Sequence, residues 1–113
     1  MMTVYVDDMY RYAMGRYGHM KMSHMIADTT NELLVMADCI GVKRRWLQHS
    51  GRHDEHFDIA MNKRELAIEA GAVVISLRQC SAMCARRRIE GALGVPEDAE
   101  QWRRDYAVRS LCR

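Results

Sequence analysis

Three groups of residues in this chain of 113 have the types and spacing to do chemistry. The first is made of carboxylates. Asp7-Asp8 follows the β-branched and aromatic run Thr3-Val4-Tyr5-Val6, and Asp28 follows the run from Met22 to Ala27. Read as strands, these runs put Asp7, Asp8 and Asp28 at strand ends, where open parallel sheets bind their ligands. Carboxylates converging there suit Mg²⁺ or Mn²⁺, and such an ion assists phosphodiester hydrolysis. The same residues also serve plain structure, since Asp28 can start a helix and Asp7-Asp8 can end a strand.

The second group is His49, His53, His56 and Asp58, with Asp54 and Glu55 between them. Imidazole and carboxylate together suit zinc, manganese or iron, although this spacing matches no named metal motif. His56-Phe57-Asp58 is its sharpest part. Two residues apart on an extended segment, His56 and Asp58 point to one side. They read as an acid–base pair or as a histidine oriented by a hydrogen bond within the core. His56 joins Asp7 and Asp28 as a candidate metal ligand, and His24, His56 and Asp58 are the candidate catalytic residues.

The third group is basic and polar: Lys21, Ser23, His24, Arg44, Arg45, Trp46, Gln48, Lys63 and Arg64. Lys63 and Arg64 fall in the first turn of an expected helix, where the macrodipole disfavours cations. A bound phosphate removes that conflict, because helix N-termini and arginine forks both suit phosphate oxygens. Trp46 beside two arginines offers a stacking face for a base. The plainer alternatives pair Lys63 and Arg64 with Asp58 and Glu65 and bury Trp46 in the core.

These residues need elements to hold them. The expected first strand is Thr3–Val6, residues 9 to 20 read as a loop, and Met22–Ala27 as a second strand. Thr29 and Glu32 form a capping box ahead of a helix whose apolar face is Leu33, Met36, Ala37 and Ile40, stopped at Gly41. Val42–Gln48 reads as a strand, charged at Lys43-Arg44-Arg45. Asn62 and Glu65 suggest a second cap, and Gly71 a second stop. The run Ala72-Val73-Val74-Ile75 reads as a strand covered on both faces. Helices are expected over 78–92 and, after Pro96, over 97–110. The order implies an α/β fold: a small, mainly parallel sheet with flanking helices and a helical C-terminal tail. Residues 1–79 would form the core and 80–113 a helical extension of the same domain.

Composition excludes other classes. The chain is 49% hydrophobic and 28% charged, which suits an ordinary soluble domain and not a disordered one. Net charge is +2, so bulk polycation binding to nucleic acid is not implied. No apolar run approaches a membrane span. Cys39, Cys80, Cys84 and Cys112 contain no Cys-x-x-Cys pair, and the opening Met1-Met2-Thr3-Val4-Tyr5 has no secretory pattern, so a reducing cytoplasm is expected. The methionines read as core filler.

Ordered stretches of the chain resemble a small phage and bacterial family known as domain of unknown function 4031. They are Val4-Tyr5-Val6-Asp7-Asp8-Met9, Lys21-Met22-Ser23-His24-Met25-Ile26-Ala27-Asp28-Thr29, Arg44-Arg45-Trp46, Gln48, His56-Phe57-Asp58-Ile59, Lys63-Arg64 and Gly71-Ala72-Val73. The resemblance covers about residues 3 to 79. Phe57 stands where such sequences more often show Tyr, which removes a hydroxyl. The resemblance implies a bacterial or phage-infected cytoplasm and brings no activity.

Three functions follow as expectations. The first is a protein binding a phosphorylated ligand, a nucleotide or a nucleic-acid end. Arg44, Arg45, Lys63 and Arg64 would hold phosphate, and His24, Gln48 and His56 would orient it, in a phage to sequester a host nucleotide signal. The second is a metal-dependent phosphoesterase or nuclease using Asp7, Asp28, His56 and Asp58. The third is a protein-interaction or host-enzyme inhibitor module, or a homodimer, built on the tail through Arg86–Arg88 and Trp102-Arg103-Arg104.

Overall fold

The computed structural model describes residues 3–112; Met1, Met2 and Arg113 lie outside the described residues. Five strands form one sheet: β1 (Val4–Val6), β2 (Arg16–Tyr17), β3 (Met20–Ala27), β4 (Phe57–Ala60) and β5 (Val73–Val74). Four α-helices accompany them: α1 (Thr30–Ile40), α2 (Met61–Glu69), α3 (Leu77–Glu90) and α4 (Pro96–Leu111). The α/β class, the flanking helices and the helical tail are as expected from sequence. The sheet direction is not. β3 runs antiparallel to β1, β2 and β4, and only the β1–β5 pair is parallel.

The reason lies in the charged stretch after α1. Val42–Gln48 is not a strand: Arg44–Trp46 makes a single 3₁₀ turn on the surface, and only Gln48 pairs, in a bridge with His56. Lys43, Arg44 and Arg45 cannot be buried unpaired in a sheet, so the chain stays outside and doubles back. β4 therefore re-enters beside β3 in the opposite direction. Two other expectations change as well. Residues 9–20 are two 3₁₀ turns followed by β2 and the first residue of β3. α2 starts at Met61 behind Ala60, with no side-chain cap from Asn62.

Other local signals are used as read. The Thr29 side chain accepts the Glu32 N–H, and Gly41 ends α1 at φ 77°, a left-handed conformation that costs glycine little. A reciprocal capping box of Ser76 and Gln79, not among the expected signals, starts α3. β5 is a short edge strand with Val73 and Val74 exposed, in place of the doubly covered strand expected there.

Alternation along the strands then divides the core in two. Val4, Val6, Met25, Ala27, Phe57 and Ile59 pack with Leu33, Met36, Ala37 and Ile40 of α1 and Ala67 of α2. Tyr5, Ile26 and Ile75 pack against Cys80, Ala82 and Met83 of α3, Leu93, and Ala99 of α4. The expected boundary at residues 79/80 falls inside α3, whose side chains belong to this second core. Phe57 is fully buried on the α1–α2 side, so its neighbours at 56 and 58 point to the opposite face of the sheet. Phe57→Ala should destabilise the fold by about 3–5 kcal/mol in a urea titration; a loss below about 1 kcal/mol would mean that strand β4 is not packed as described.

Candidate functional site

His24 of β3 stands directly across from Asp58 of β4. His56 precedes Asp58 by two residues and so shares its face. This register brings His24, His56 and Asp58 together, with one ligand atom of each within 4.8 Å of the others. Asp58 Oδ1 lies 3.8 Å from His24 Nε2 and 3.5 Å from His56 Nε2. Ligands about 2.1 Å from one ion stand about 3.0–4.2 Å apart, so both separations fit a shared metal.

The remaining polar atoms of the three side chains are engaged elsewhere. His24 Nδ1 is 2.7 Å from Asp7 Oδ2. His56 Nδ1 is 2.8 Å from the Asp54 carbonyl oxygen. A carbonyl or a carboxylate can only accept, so each Nδ1 carries the proton and each Nε2 is left to face Asp58. Gln48 Nε2 donates to Asp58 Oδ2 at 2.8 Å. Asp58 Oδ1 is closed to solvent and has no hydrogen bond, although the Asp58 side chain is one-third exposed. Imidazoles held by carboxylate or carbonyl partners, with their other nitrogen aimed at a common point, are the usual outer support of metal ligands.

Asp7 anchors the arrangement. It is completely buried, and its Oδ1 accepts the N–H groups of Met9 (3.0 Å) and His24 (2.9 Å). Burial of the His24 ring opposes its charge, yet the hydrogen bond and charge of Asp7, helped by Asp58, outweigh that and raise its pKa above the ordinary value. A second grouping, Asp7, His24 and Cys80, is also close enough to share an ion. It would need atoms already spent on the Asp7–His24 bond. Its thiol is also poorly suited, since a hydrogen bond to Cys84 and burial push Cys80 well up. Cys84 is held below the usual thiol value, first by that hydrogen bond and then, against burial, by Arg87 and His24.

His24 and His56 open into a cleft of about 840 Å³ between the sheet and the α3–α4 hairpin. Its wall is apolar at Ile26, Leu77 and Ala82, and its rim carries Arg78, Arg88, Arg103 and Arg104. Arg103 donates to Ser81 Oγ at 2.8 Å and Arg104 to Gln101 Oε1 at 2.7 Å. The side chains of Arg78 and Arg88 have no hydrogen bond or ion pair among the described residues.

The structure does not gather the cations chosen from sequence. Arg44 is exposed and paired with Asp38 at 2.7 Å, and Arg45 lies over Trp46, 5.2 Å from the ring centre. Lys63 caps the Ile40 carbonyl at 2.9 Å. Arg64 is buried, donating to the Asp7 main-chain oxygen at 2.9 Å. The first-turn cations of α2 thus serve α1 and β1. Asp28 is also remote from the cluster, where its carboxylate accepts the Thr3 N–H. His49 Nδ1 pairs with Asp54 at 2.9 Å and its ring meets His56 edge to face. His53 lines the cleft, and its carbonyl accepts from Arg87. The tail residues Arg88, Arg103 and Arg104 were legible only as cations on helices, since nothing local says which way a hairpin folds. Arg86 and Trp102 turn inward instead: Arg86 pairs with Glu90 and Asp98, and the Trp102 N–H donates to Glu90.

The fold and site define a small α/β protein with a histidine–aspartate centre beneath a helical hairpin. The chain belongs to the family described as "Protein of unknown function (DUF4031)", which matches residues 4–87 and so runs past residue 79 into α3. No curated protein and no solved structure matches it. No helix among the described residues is long and apolar enough to cross a membrane.

The Asp7–His24 pair has a pH signature. With the pKa raised in the folded state, the stability it supplies is complete below the ordinary imidazole pKa of about 6.5 and fades as pH rises through the higher folded value. In protein kept in chelator, urea unfolding should therefore show stability falling over that window. His24→Gln should flatten the fall; an unchanged slope in the variant would assign it to other groups.

Proposed function

We propose that this protein is a divalent-metal-dependent phosphoesterase whose metal is held by His24 Nε2, His56 Nε2 and Asp58 Oδ1. The observation that carries this reading is the convergence of those three atoms while the other polar atoms of the same side chains are hydrogen-bonded away. Two imidazoles and one carboxylate favour Mn²⁺, Zn²⁺ or Fe²⁺ over Mg²⁺, which demands oxygen ligands. Three protein ligands leave positions open for water and substrate, as catalytic sites require. An ion held by these three atoms would supply Lewis acidity and an activated water for attack on a phosphoester. In such a hydrolysis the water oxygen would replace the leaving-group oxygen on phosphorus, and the departing oxygen would keep the bonding electron pair and take up a proton from solvent. The arginines on the cleft rim support an anionic substrate there.

The working compartment we assign is the bacterial or phage-infected cytoplasm, and four free cysteines support a reducing setting. Simple phosphate binding through Arg44, Arg45, Lys63 and Arg64 has less support, because those side chains are separately engaged.

Calorimetric titration with Mn²⁺ and Zn²⁺ should show one ion bound per chain. Binding should vanish in His56→Ala and in Asp58→Asn, and weaken about tenfold in Gln48→Ala, which removes only the outer support. The same ion should switch on hydrolysis of bis(p-nitrophenyl) phosphate. Absence of metal binding to the folded wild-type chain would overturn the proposal.

A further inference from the structure

Asp58 does not face the large cleft. It lines a second groove of about 460 Å³, together with Arg16, Tyr17, Trp46 and Gln48. Met14 lines both grooves, so the three candidate ligands stand where the two meet. The second groove is bordered by two aromatic rings left in solvent, Tyr17 at 82% exposure and Trp46 at 60%. Exposed rings beside a groove offer flat apolar faces on which a planar group can stack. Cations accompany them. The Arg45 guanidinium lies over the Trp46 ring, 5.2 Å from its centre. The Arg16 side chain has no hydrogen bond or ion pair among the described residues.

Resting on the phosphoesterase reading, we infer that the substrate is a single-stranded nucleic acid that crosses the metal centre from one groove to the other. The aromatic groove is its base-stacking ledge and the arginine-rimmed cleft its phosphate track. Stacking platforms beside cationic grooves are how proteins hold single strands without reading sequence. Cations lie on both sides of the candidate metal ligands: Arg16 and Arg45 on one, Arg78, Arg88, Arg103 and Arg104 on the other. A single nucleotide reaching the metal through the cleft leaves Tyr17, Trp46, Arg16 and Arg45 unused. A strand whose scissile phosphate sits at the metal engages both sets at once. Glu100 and Asp54 also line the cleft, and Asp54 is paired with His49 and Arg52.

The test uses the whole chain in chelator, so that strand binding is read without metal or turnover. A thymidine oligonucleotide of about ten residues, within the site sizes of single-strand binders, is titrated while tryptophan emission is followed. Trp102 is shielded against Glu90, so quenching reports Trp46. The strand should quench emission and bind at least about tenfold more tightly than thymidine monophosphate, with affinity falling steeply as salt rises. By anisotropy, Trp46→Ala should weaken binding about fivefold or more, and the double variant Arg88→Ala, Arg103→Ala should do likewise. Equal affinity for the mononucleotide, preference for duplex, or indifference to Trp46→Ala would each overturn the inference. Calorimetry with Mn²⁺ on the same preparation separates the two readings. Metal binding without strand binding removes only the strand, whereas strand binding without metal binding removes the phosphoesterase.

Discussion

The fold and the site both hang on the carboxylate of Asp7. A carboxylate taken wholly out of water is tolerated only if nearly every lone pair finds a donor. Asp7 meets that demand with the main-chain N–H groups of Met9 and His24 and the His24 ring. Its own main-chain oxygen accepts from Arg64, reaching over from α2. Four segments distant in sequence are thereby tied at one point: the end of β1, the turn after it, the middle of β3 and the first turns of α2. That constraint fixes the rotamer of His24 and, through the β3–β4 register, where Asp58 must stand.

The α3–α4 hairpin supplies what the sheet cannot. Without it, His24 and His56 would lie on an open sheet face in contact with bulk water. Arg87 is the tie, donating to the carbonyls of His53 and Ala27 at 2.9 and 2.8 Å. Arg86 and Trp102 stack and share Glu90, locking α4 to α3. Of three consecutive arginines, two hold the hairpin down and only Arg88 remains for a ligand. A run of like charges is therefore not one surface, because a helix turns each residue about 100° from the last.

What the sequence disclosed follows the range of the interactions involved. Caps and stops depend on residues within a turn of each other, so Thr29, Gly41 and Pro96 fall close to where local rules put them. The alternation that sets His56 and Asp58 on one side is equally local. Sheet direction is not, since it depended on whether Lys43-Arg44-Arg45 could be buried. The helix-start argument for Lys63 and Arg64 failed for a related reason: the expected anion was replaced by carbonyls of Ile40 and Asp7. Carbonyl oxygens of distant segments leave no mark in a sequence. Asp7, His24, His56 and Asp58 were each singled out by type, but Asp7 and Asp28 were treated alike. Only the antiparallel register distinguishes the one that meets a histidine from the one that meets Thr3.

The spacing around Asp58 is the most telling feature of the centre. Elsewhere in the same cluster, acid and imidazole close to bonding distance: 2.7 Å for Asp7 with His24 and 2.9 Å for Asp54 with His49. Asp58 Oδ1 stays 3.5 and 3.8 Å from two imidazole nitrogens and bonds to neither. A proton bridges one donor and one acceptor near 2.8 Å, so it cannot satisfy three atoms at these separations. A cation about 2.1 Å from each can. Both imidazoles are hydrogen-bonded from behind through Nδ1, and Asp58 is held by Gln48, so all three side chains are fixed around the gap between them. Preorganisation of this kind puts the cost of ordering these side chains into folding, where the Asp7 anchor already supports it.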